Sequence, residues 1–496
     1  MLEEGRPEPD VIVVGAGNAA LCAAIAARLQ EASVLVLEAA PFERRGGNSW
    51  FTDGAIRFAH QGLADVRTVI PEMTDDEAAR IDLPPYPAAD FEAELMEMSG
   101  GRADRELAMV LATDSLGTMR WLRDQSVRFA MLYDNQAFHH AGRHHFWGGL
   151  SVKSIGRGIG LVDALFARAE ALGVRVAYGC RVTAMSRSGS GWRVEVESEL
   201  EGSLSIRGGA VILACGGFEA SGELRREHLG PAWEEALVRG TEYNRGDGLM
   251  MAPTVGGIRA GCWSGCHAIA TDAAAPDFGD RQVPGDIYKK HSYPLGIVVN
   301  RDGQRFLDEG ADFRNYTYAK YGRAILEQPG GLAYQLFDQQ VVHLLREEYG
   351  RPEATSVIAD SIEALATGIG VDATSLTATV SAYNAGVEDG AFNPERKDGK
   401  STVGVSPPKS NWALRLDQPP FLAYPVRCAI TFTFGGVAVD SSGRLLDGAR
   451  RPIPGIYAAG EMVGGLFFDN YPGGAGLISG ATFGRRSGEH AGQWVR

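Results

Sequence analysis

Six cysteines stand in 496 residues, and no two of them have the Cys-x-x-Cys spacing of a zinc or redox pair. Cys22, Cys180, Cys215, Cys262, Cys266 and Cys428 are scattered. Cys262 and Cys266 have His267 beside them but no second ligand pair at metal-like spacing, so buried or unpaired thiols and no metal site are expected. Also missing is any Lys/Arg-rich run. With 48 basic against 62 acidic residues, a net charge of -14 and a pI near 5.3, the chain is not built to bind nucleic acid or an anionic membrane surface. No apolar stretch reaches the ~18 to 20 residues of a membrane span. The opening MLEEGRPEPD is acidic, unlike a charged-then-apolar leader, and a soluble, cytoplasmic protein is expected. Internal repeats and low-complexity runs are absent.

What is present is organised around glycine. Residues 10–38, DVIVVGAGNAALCAAIAARLQEASVLVLE, read as a buried strand, a glycine turn, an Ala-rich helix and a second buried strand ending at Glu38. In the turn, Gly15 permits the tight bend, Gly17 lets backbone approach a pyrophosphate, and Ala20 in the third position keeps helix and sheet close. The helix N-terminal amides around Asn18 and Ala19 then hold phosphate, and Glu38 stands where a carboxylate accepts hydrogen bonds from a ribose diol. A dinucleotide site follows, although this motif alone does not separate FAD from NAD.

Three further segments repeat the theme. Arg44-Arg45-Gly46-Gly47-Asn48-Ser49 follows the first unit; GGAVILACGGF (208–218) is a buried strand running into a Gly-Gly turn; IPGIYAAGE (453–461) is another strand, ending in Gly460-Glu461. Near the end comes FFDNYPGGAGLISGA (467–481). In this order the segments resemble the fumarate reductase/succinate dehydrogenase flavoproteins. Within that family GNAALCAAIAA, GGNS, WSGCHA, GADFRNYTYAKYG, TFTFGG and GLFFDNYPGG are most similar to tricarballylate dehydrogenases. The resemblance covers nearly the whole chain. It implies an α/β fold: a Rossmann-type FAD-binding domain assembled from 1–269 and 408–496, with an α+β capping domain, 270–407, inserted between. The inserted stretch is richer in charged helical segments such as LAYQLFDQQVVHLLREEYG, and it carries a strand and tight turn at 293–303.

The resemblance further implies FAD, held non-covalently because covalently flavinylated members carry a His where this sequence has Asn48. Its implied cofactor contacts are Gly15, Gly17, Asn18, Ala19, Ala20, Glu38 and Ala39, then Gly46, Gly47, Asn48 and Ser49. Val182, Ala214, Gly216 and Asp247 follow, then Gly460, Glu461, Gly476, Leu477 and Ile478. The implied reaction moves a hydride between flavin N5 and one substrate carbon while a protein group moves a proton at the adjacent carbon. Arg314 matches the family's proton-shuttling arginine, with Glu309 or Asp312 as nearby relay acids; by composition alone it would read as a salt bridge beside those acids. His267 matches a substrate-carboxylate histidine, and a satisfied buried histidine is the alternative. A small-molecule substrate and a separate electron acceptor or donor, such as a membrane-associated redox protein or a quinone, are implied, since iron-sulfur cysteines are lacking.

Two departures shift the substrate. Phe432 stands where fumarate reductases carry a His before Thr-x-Gly-Gly, and Tyr471 stands where they carry an Arg. Fumarate and succinate lose a cation and a donor. Trp50, Phe51 and Asp53 replace residues that are basic in tricarballylate dehydrogenases. The Tyr-Pro-Gly at 471–473 is similar to 3-ketosteroid dehydrogenases, which makes Tyr471 a candidate acid or donor and Tyr293 a second. The expected activity is an FAD-dependent dehydrogenase or reductase of a C–C bond next to a carboxylate; the alternatives are a ketone-activated desaturase and a flavin electron-transfer subunit. HHAGRHHFWGG (139–149) holds four of the ten histidines; with Arg57, His60 and Lys153 it stands open between a carboxylate-binding loop, a solvated loop and a metal site.

Overall fold

The computed structural model describes residues 7–282 and 286–496, apart from the side chains at 135 and 315; the opening residues 1–6 lie outside it. The described residues form two compact units. One comprises the chain up to Leu229 with Gly240–Cys266 and Phe432–Arg496; the other is Gly230–Arg239 with His267–Thr431. The second unit differs from the expected 270–407 at both ends. Leu237–Val238 joins it by parallel pairing with Ala429–Ile430, and it passes the Pro-rich stretch at 407 because Phe421–Val437 is a strand of its sheet.

The first unit is built on a six-stranded sheet. Val11–Val14 lies parallel between Ala210–Leu213 and Val34–Leu37; Arg175–Ala177 extends one side, while Pro452–Ala458 and then Arg444–Leu446 extend the other. The central strands are apolar at every position and wholly buried, as a parallel sheet covered on both faces requires. Strands distant in sequence thus meet in one α/β layer.

Across the sheet the helix Asn18–Leu29 packs on the C-terminal helix Ala475–Trp494. The contact is made almost without side chains. A methyl group added at Gly484 would lie 2.3 Å from the carbonyl oxygen of Ala19, and one at Gly488 2.2 Å from that of Ala23. One at Gly492 would meet the Ala27 oxygen at 3.0 Å. Glycine every fourth residue faces alanine every fourth residue, so the two backbones approach as no larger pair of residues would allow.

The second unit has its own α+β core. Ile297–Asn300 pairs antiparallel with Leu332–Phe337, which pairs antiparallel with the first half of Phe421–Val437. Strand alternation divides the packing: Ile297 and Val299 join Leu365, Leu376, Val380 and Tyr383 from the helices Ile362–Ile369 and Ala373–Gly386. Val298 points the other way, to Tyr293, Tyr321 and Ile325 beside the helix Arg314–Leu326.

Replacing Gly484 by Val is expected to destabilise the protein by roughly 3 kcal/mol or more, because backbone rather than a movable side chain blocks the new group. Gly448→Ala, where an added methyl meets nothing within 4 Å, should stay within about 0.5 kcal/mol. Urea denaturation of the two variants measures the contrast.

Candidate active site

The glycine turn forms as the sequence predicts. Gly15 has φ +101°, and a Cβ there would sit 2.5 Å from the Ala214 oxygen, so only glycine fits between the two strand ends. Gly17 caps the helix with no side-chain hydrogen bond of its own; the Ser49 hydroxyl accepts from the Asn18 amide at 3.0 Å, bringing the Gly46–Ser49 loop to the helix N-terminus. Glu38 is buried just past its strand; its carboxylate accepts from the Ala40 amide at 2.7 Å, and burial raises its proton affinity. Gly216 has φ +79°, and an added Cβ would strike the Asn244 amide.

The two glycine-rich ends meet here. Asn18 Nδ2 donates to the Leu477 carbonyl at 2.8 Å, and Gly460 at φ +72° leaves only 2.7 Å between an added Cβ and Ala19. Ala20 and Ile478 are buried beside this junction. Of the remaining expected contacts, Val182 is buried in the strand Cys180–Ser188, and Asp247, at the start of its helix, is ion-paired with Arg181. Arg44 and Arg45 turn to protein partners, Arg44 to Glu242 and Arg45 to Asp163 and the ring of Phe42. Strand ends, close-approach glycines, helix N-terminal amides and a buried acid converge at the carboxyl edge of a parallel sheet, a donor set that fits a dinucleotide.

An acid pair, Glu219 buried and Glu461 half-buried, lies in the same unit, and only Glu461 was marked in the sequence. Asn48 Nδ2 and Asn244 Nδ2 both donate to Glu219 Oε1, each at 2.6 Å, while Asn48 Oδ1 accepts from the Thr241 amide at 2.9 Å. The Glu461 carboxyl lies close enough for the Glu219 charge to act on it, and it accepts from the amide and hydroxyl of Thr433 at 2.6 and 2.9 Å. No described ion pair neutralises either acid, and two adjacent carboxylates, Glu219 buried and Glu461 half-buried, disfavour each other's charge. Burial raises the proton affinity of both, and the Glu219 charge raises that of Glu461 further, well above its ordinary value. Of the two, Glu461 is pushed the further up. Glu219 follows the Gly-Gly turn directly, but nothing local marks its partners.

Nearby, Phe432 and Tyr471 meet edge to face at 5.1 Å, with Phe434 and Phe467 packed on them.

The second unit gathers a different set. Arg314 opens its helix, half-buried; Nη1 lies 3.3 Å from His291 Nδ1, and the guanidinium sits over the Tyr318 ring at 5.6 Å. No described carboxylate forms an ion pair with it. Burial, and then the charge of Arg346, bring its proton affinity down to about 10. His267 is buried with its ring 5.1 Å from that of Tyr318, and His291 is 5.3 Å from the same ring. Burial holds both imidazoles well below their ordinary values, so both are neutral.

Other expected residues have partners of their own here. Glu309 makes no ion pair with Arg314: it is fully buried, ion-paired with Arg305, and accepts from the Val298 amide at 2.7 Å. Asp312 pairs with Lys397 at 3.3 Å. Tyr293 spends its hydroxyl on Thr317 at 2.6 Å. The group beside Arg314 is His291, which no motif announced. The histidine-rich stretch is a hairpin, Ala137–His140 with Arg143–Phe146, in which His145 pairs with Asp82 at 2.8 Å. Arg57 is ion-paired with Glu94, Lys153 with Asp134, and burial takes His60 down to about 4.

A model of the FAD binding domain family, FAD_binding_2, matches residues 10–478. The chain belongs to this family. As a member it is an FAD-dependent oxidoreductase, and the glycine cradle and helix N-terminus described above are residues that fit the dinucleotide. Its relatives include a probable fumarate reductase of Shewanella frigidimarina, 28% identical over 97% of this chain and 74% of the relative. A vinyl phenol reductase of Lactiplantibacillus plantarum is 26% identical over 98% and 97%. Among solved structures, the open conformation of a flavocytochrome c3 fumarate reductase matches with a TM-score of 0.74 at 26% identity, over 99% of this chain and 79% of that one. A 3-ketosteroid Δ1-dehydrogenase from Sterolibacterium denitrificans shares the fold, with a TM-score of 0.74 at 20% identity over 98% and 99%. No helix among the described residues is long and apolar enough to cross a membrane.

The acid pair gives this flavoprotein a measurable pH dependence. A carboxyl whose folded proton affinity is raised contributes fully below its unfolded value of 4.5 and loses that contribution as pH rises through the folded value. In Glu461→Gln the titrating group is gone, so its melting temperature should fall less than the wild type's between about pH 5 and pH 9. Parallel melting curves for the two proteins would contradict the assignment.

Proposed function

We propose that the protein forms or reduces a C–C double bond next to a carboxylate, with FAD bound non-covalently and Arg314 as the group that moves the proton. The observation that carries this reading is the state of Arg314. A half-buried guanidinium held by a neutral imidazole and an aromatic ring, with no carboxylate to fix its charge, gives up a proton more readily than an ordinary arginine. Bound FAD would supply the two-electron chemistry. In reduction Arg314 gives a proton to the carbon next to the one that exchanges the hydride; in oxidation it takes that proton back. His291 is a positioning residue, accepting from Arg314 through Nδ1 and so aiming the guanidinium. Neutral His267 supplies a hydrogen bond to a substrate carboxylate.

Non-covalent attachment is supported by Asn48, whose amide is engaged at both ends and is no nucleophile. The relatives named fumarate reductase, vinyl phenol reductase and urocanate reductase act on conjugated double bonds by their names, which supports the reaction class. Tricarballylate is one substrate within it. The electron partner in this reading is a separate redox protein or quinone, and the location is cytoplasmic.

A ketone-activating reading has one observation in its favour: Tyr471, the hydroxyl among three phenylalanines, supplies hydrogen-bond chemistry rather than charge.

Anaerobic mixing of the purified protein with polycarboxylates, conjugated monocarboxylates and 3-ketosteroids, followed at the flavin band, tests the proposal. Arg314→Ala should slow flavin reduction, or reoxidation by an unsaturated acid, by at least ~100-fold while flavin content is kept. Turnover within a few-fold of wild type would sink the arginine assignment, and response to ketones alone, lost in Tyr471→Phe, would replace it with the second reading. Acid precipitation should leave all the flavin in the supernatant.

A further inference from the structure

The loop at 46–49 has little local reason to hold one shape. Gly46 has φ +101° and Gly47 φ +55°, so two consecutive residues stand in the left-handed region, where glycine is free to enter and equally free to leave. One edge of the loop is held by the nucleotide turn. A Cβ on Gly47 would lie 3.7 Å from Gly17 Cα, one on Gly17 would lie 3.8 Å from the Gly46 oxygen, and the Ser49 hydroxyl accepts from the Asn18 amide at 3.0 Å. The loop thus stands against the backbone and helix N-terminus that fit a dinucleotide. Its other edge is held through Asn48.

Asn48 is gripped at both ends of its amide, and neither grip comes from its own segment. Nδ2 donates to Glu219 Oε1 at 2.6 Å, and Oδ1 accepts from the Thr241 amide at 2.9 Å. Bare backbone makes the room: a Cβ on Gly240 would lie 2.0 Å from Asn48 Oδ1. Glu219 is fully buried, and the same Oε1 takes a second donor, Asn244 Nδ2, at 2.6 Å. A Cβ on Gly216 would strike that second amide at 2.3 Å. The backbone of Glu219 is fixed as well, since Arg225 Nη1 donates to its carbonyl and the Ala220 amide donates to the Asn244 carbonyl at 2.9 Å. A carboxylate removed from water is costly, and packing alone does not call for one. Here it joins amides 171 and 25 residues away in sequence, one of them on the cofactor loop.

We infer that Glu219 is the strut of the cofactor loop: by accepting from Asn48 it holds residues 46–49 closed on the nucleotide turn, so that FAD meets a loop already folded and leaves it slowly. The gain is preorganisation, an ordering cost met before the ligand arrives. Glu219 is a positioning residue that acts through Asn48, and Gly240 leaves the space in which Asn48 is held. The inference rests on the non-covalent reading of the cofactor given above.

The test follows FAD release from the diluted holoenzyme by the fluorescence of free flavin, beside thermal melting of the same samples. Glu219→Ala should speed release at least about tenfold, through loss of a charge-assisted hydrogen bond and of the loop's order. Asn48→Ala should speed it likewise, and Glu219→Ala added to Asn48→Ala should change the rate by less than about twofold, because the two act through one link. Glu219→Gln keeps an accepting oxygen and should release FAD within a few-fold of the wild type. Gly240→Ala, which sets a methyl group against Asn48 Oδ1 and leaves Glu219 untouched, should match Glu219→Ala and answers the question should that variant not fold. A full effect of Glu219→Ala on top of Asn48→Ala overturns the inference, as does release from Glu219→Gln as fast as from Glu219→Ala. Variants that melt earlier yet release FAD at the wild-type rate reduce Glu219 to packing and overturn it too. Flavin that stays on the acid-denatured wild type removes the non-covalent reading and this inference together, whereas free flavin with unchanged release from the variants removes this inference alone.

Discussion

The cofactor-bearing unit depends on how closely two backbones can approach. The helix Asn18–Leu29 offers alanine and the helix Ala475–Trp494 offers glycine at four-residue spacing, so the carbonyls of Ala19 and Ala23 lie where side chains would otherwise stand. Glycine within a helix costs roughly 0.5–1 kcal/mol relative to alanine. A helix carrying Gly476, Gly480, Gly484, Gly488 and Gly492 is a poor helix by itself, and its stability comes from the contact. The same contact sets the distance between Asn18 and Leu477, and with it the alignment of the two glycine-rich stretches.

Buried charged groups are of two kinds. In the second unit the pairs Lys290 with Asp272 and Arg305 with Glu309 are closed ion pairs in the interior. Arg314, Glu461, His267 and His291 are different, since burial pushes each away from its ordinary charge state.

Much of this was legible in sequence, because the signals are local. The strand, glycine turn, helix and terminal acid of residues 10–38 are fixed by period, φ requirements and spacing within one βαβ unit, and the strands ending at Ala214 and Ala458 carry their own apolar runs. What escaped was pairing at a distance. Nothing near Glu219 marks Asn48 or Glu461 as its partners, and nothing near Arg314 marks His291. Glu309 looked available because it neighbours Arg314 in sequence, yet Arg305, four residues before it, takes the carboxylate in an irregular turn where helical spacing rules do not apply. The exit of the second unit was misplaced for a related reason: proline marks chain direction, whereas the boundary is decided by which sheet the strand Phe421–Val437 joins.

The link from Asn18 to Leu477 spans 459 residues. During synthesis the first glycine turn leaves the ribosome long before its partner exists, and Ala210–Leu213 waits likewise for Pro452–Ala458. The second unit, continuous from His267 to Thr431 apart from one short strand, has nearly all its chain available earlier. Nascent molecules therefore carry an exposed, alanine-lined helix face that no local contact can cover, and flavin loading is a late event, timed by the arrival of the last helix rather than by the nucleotide motif that announces it.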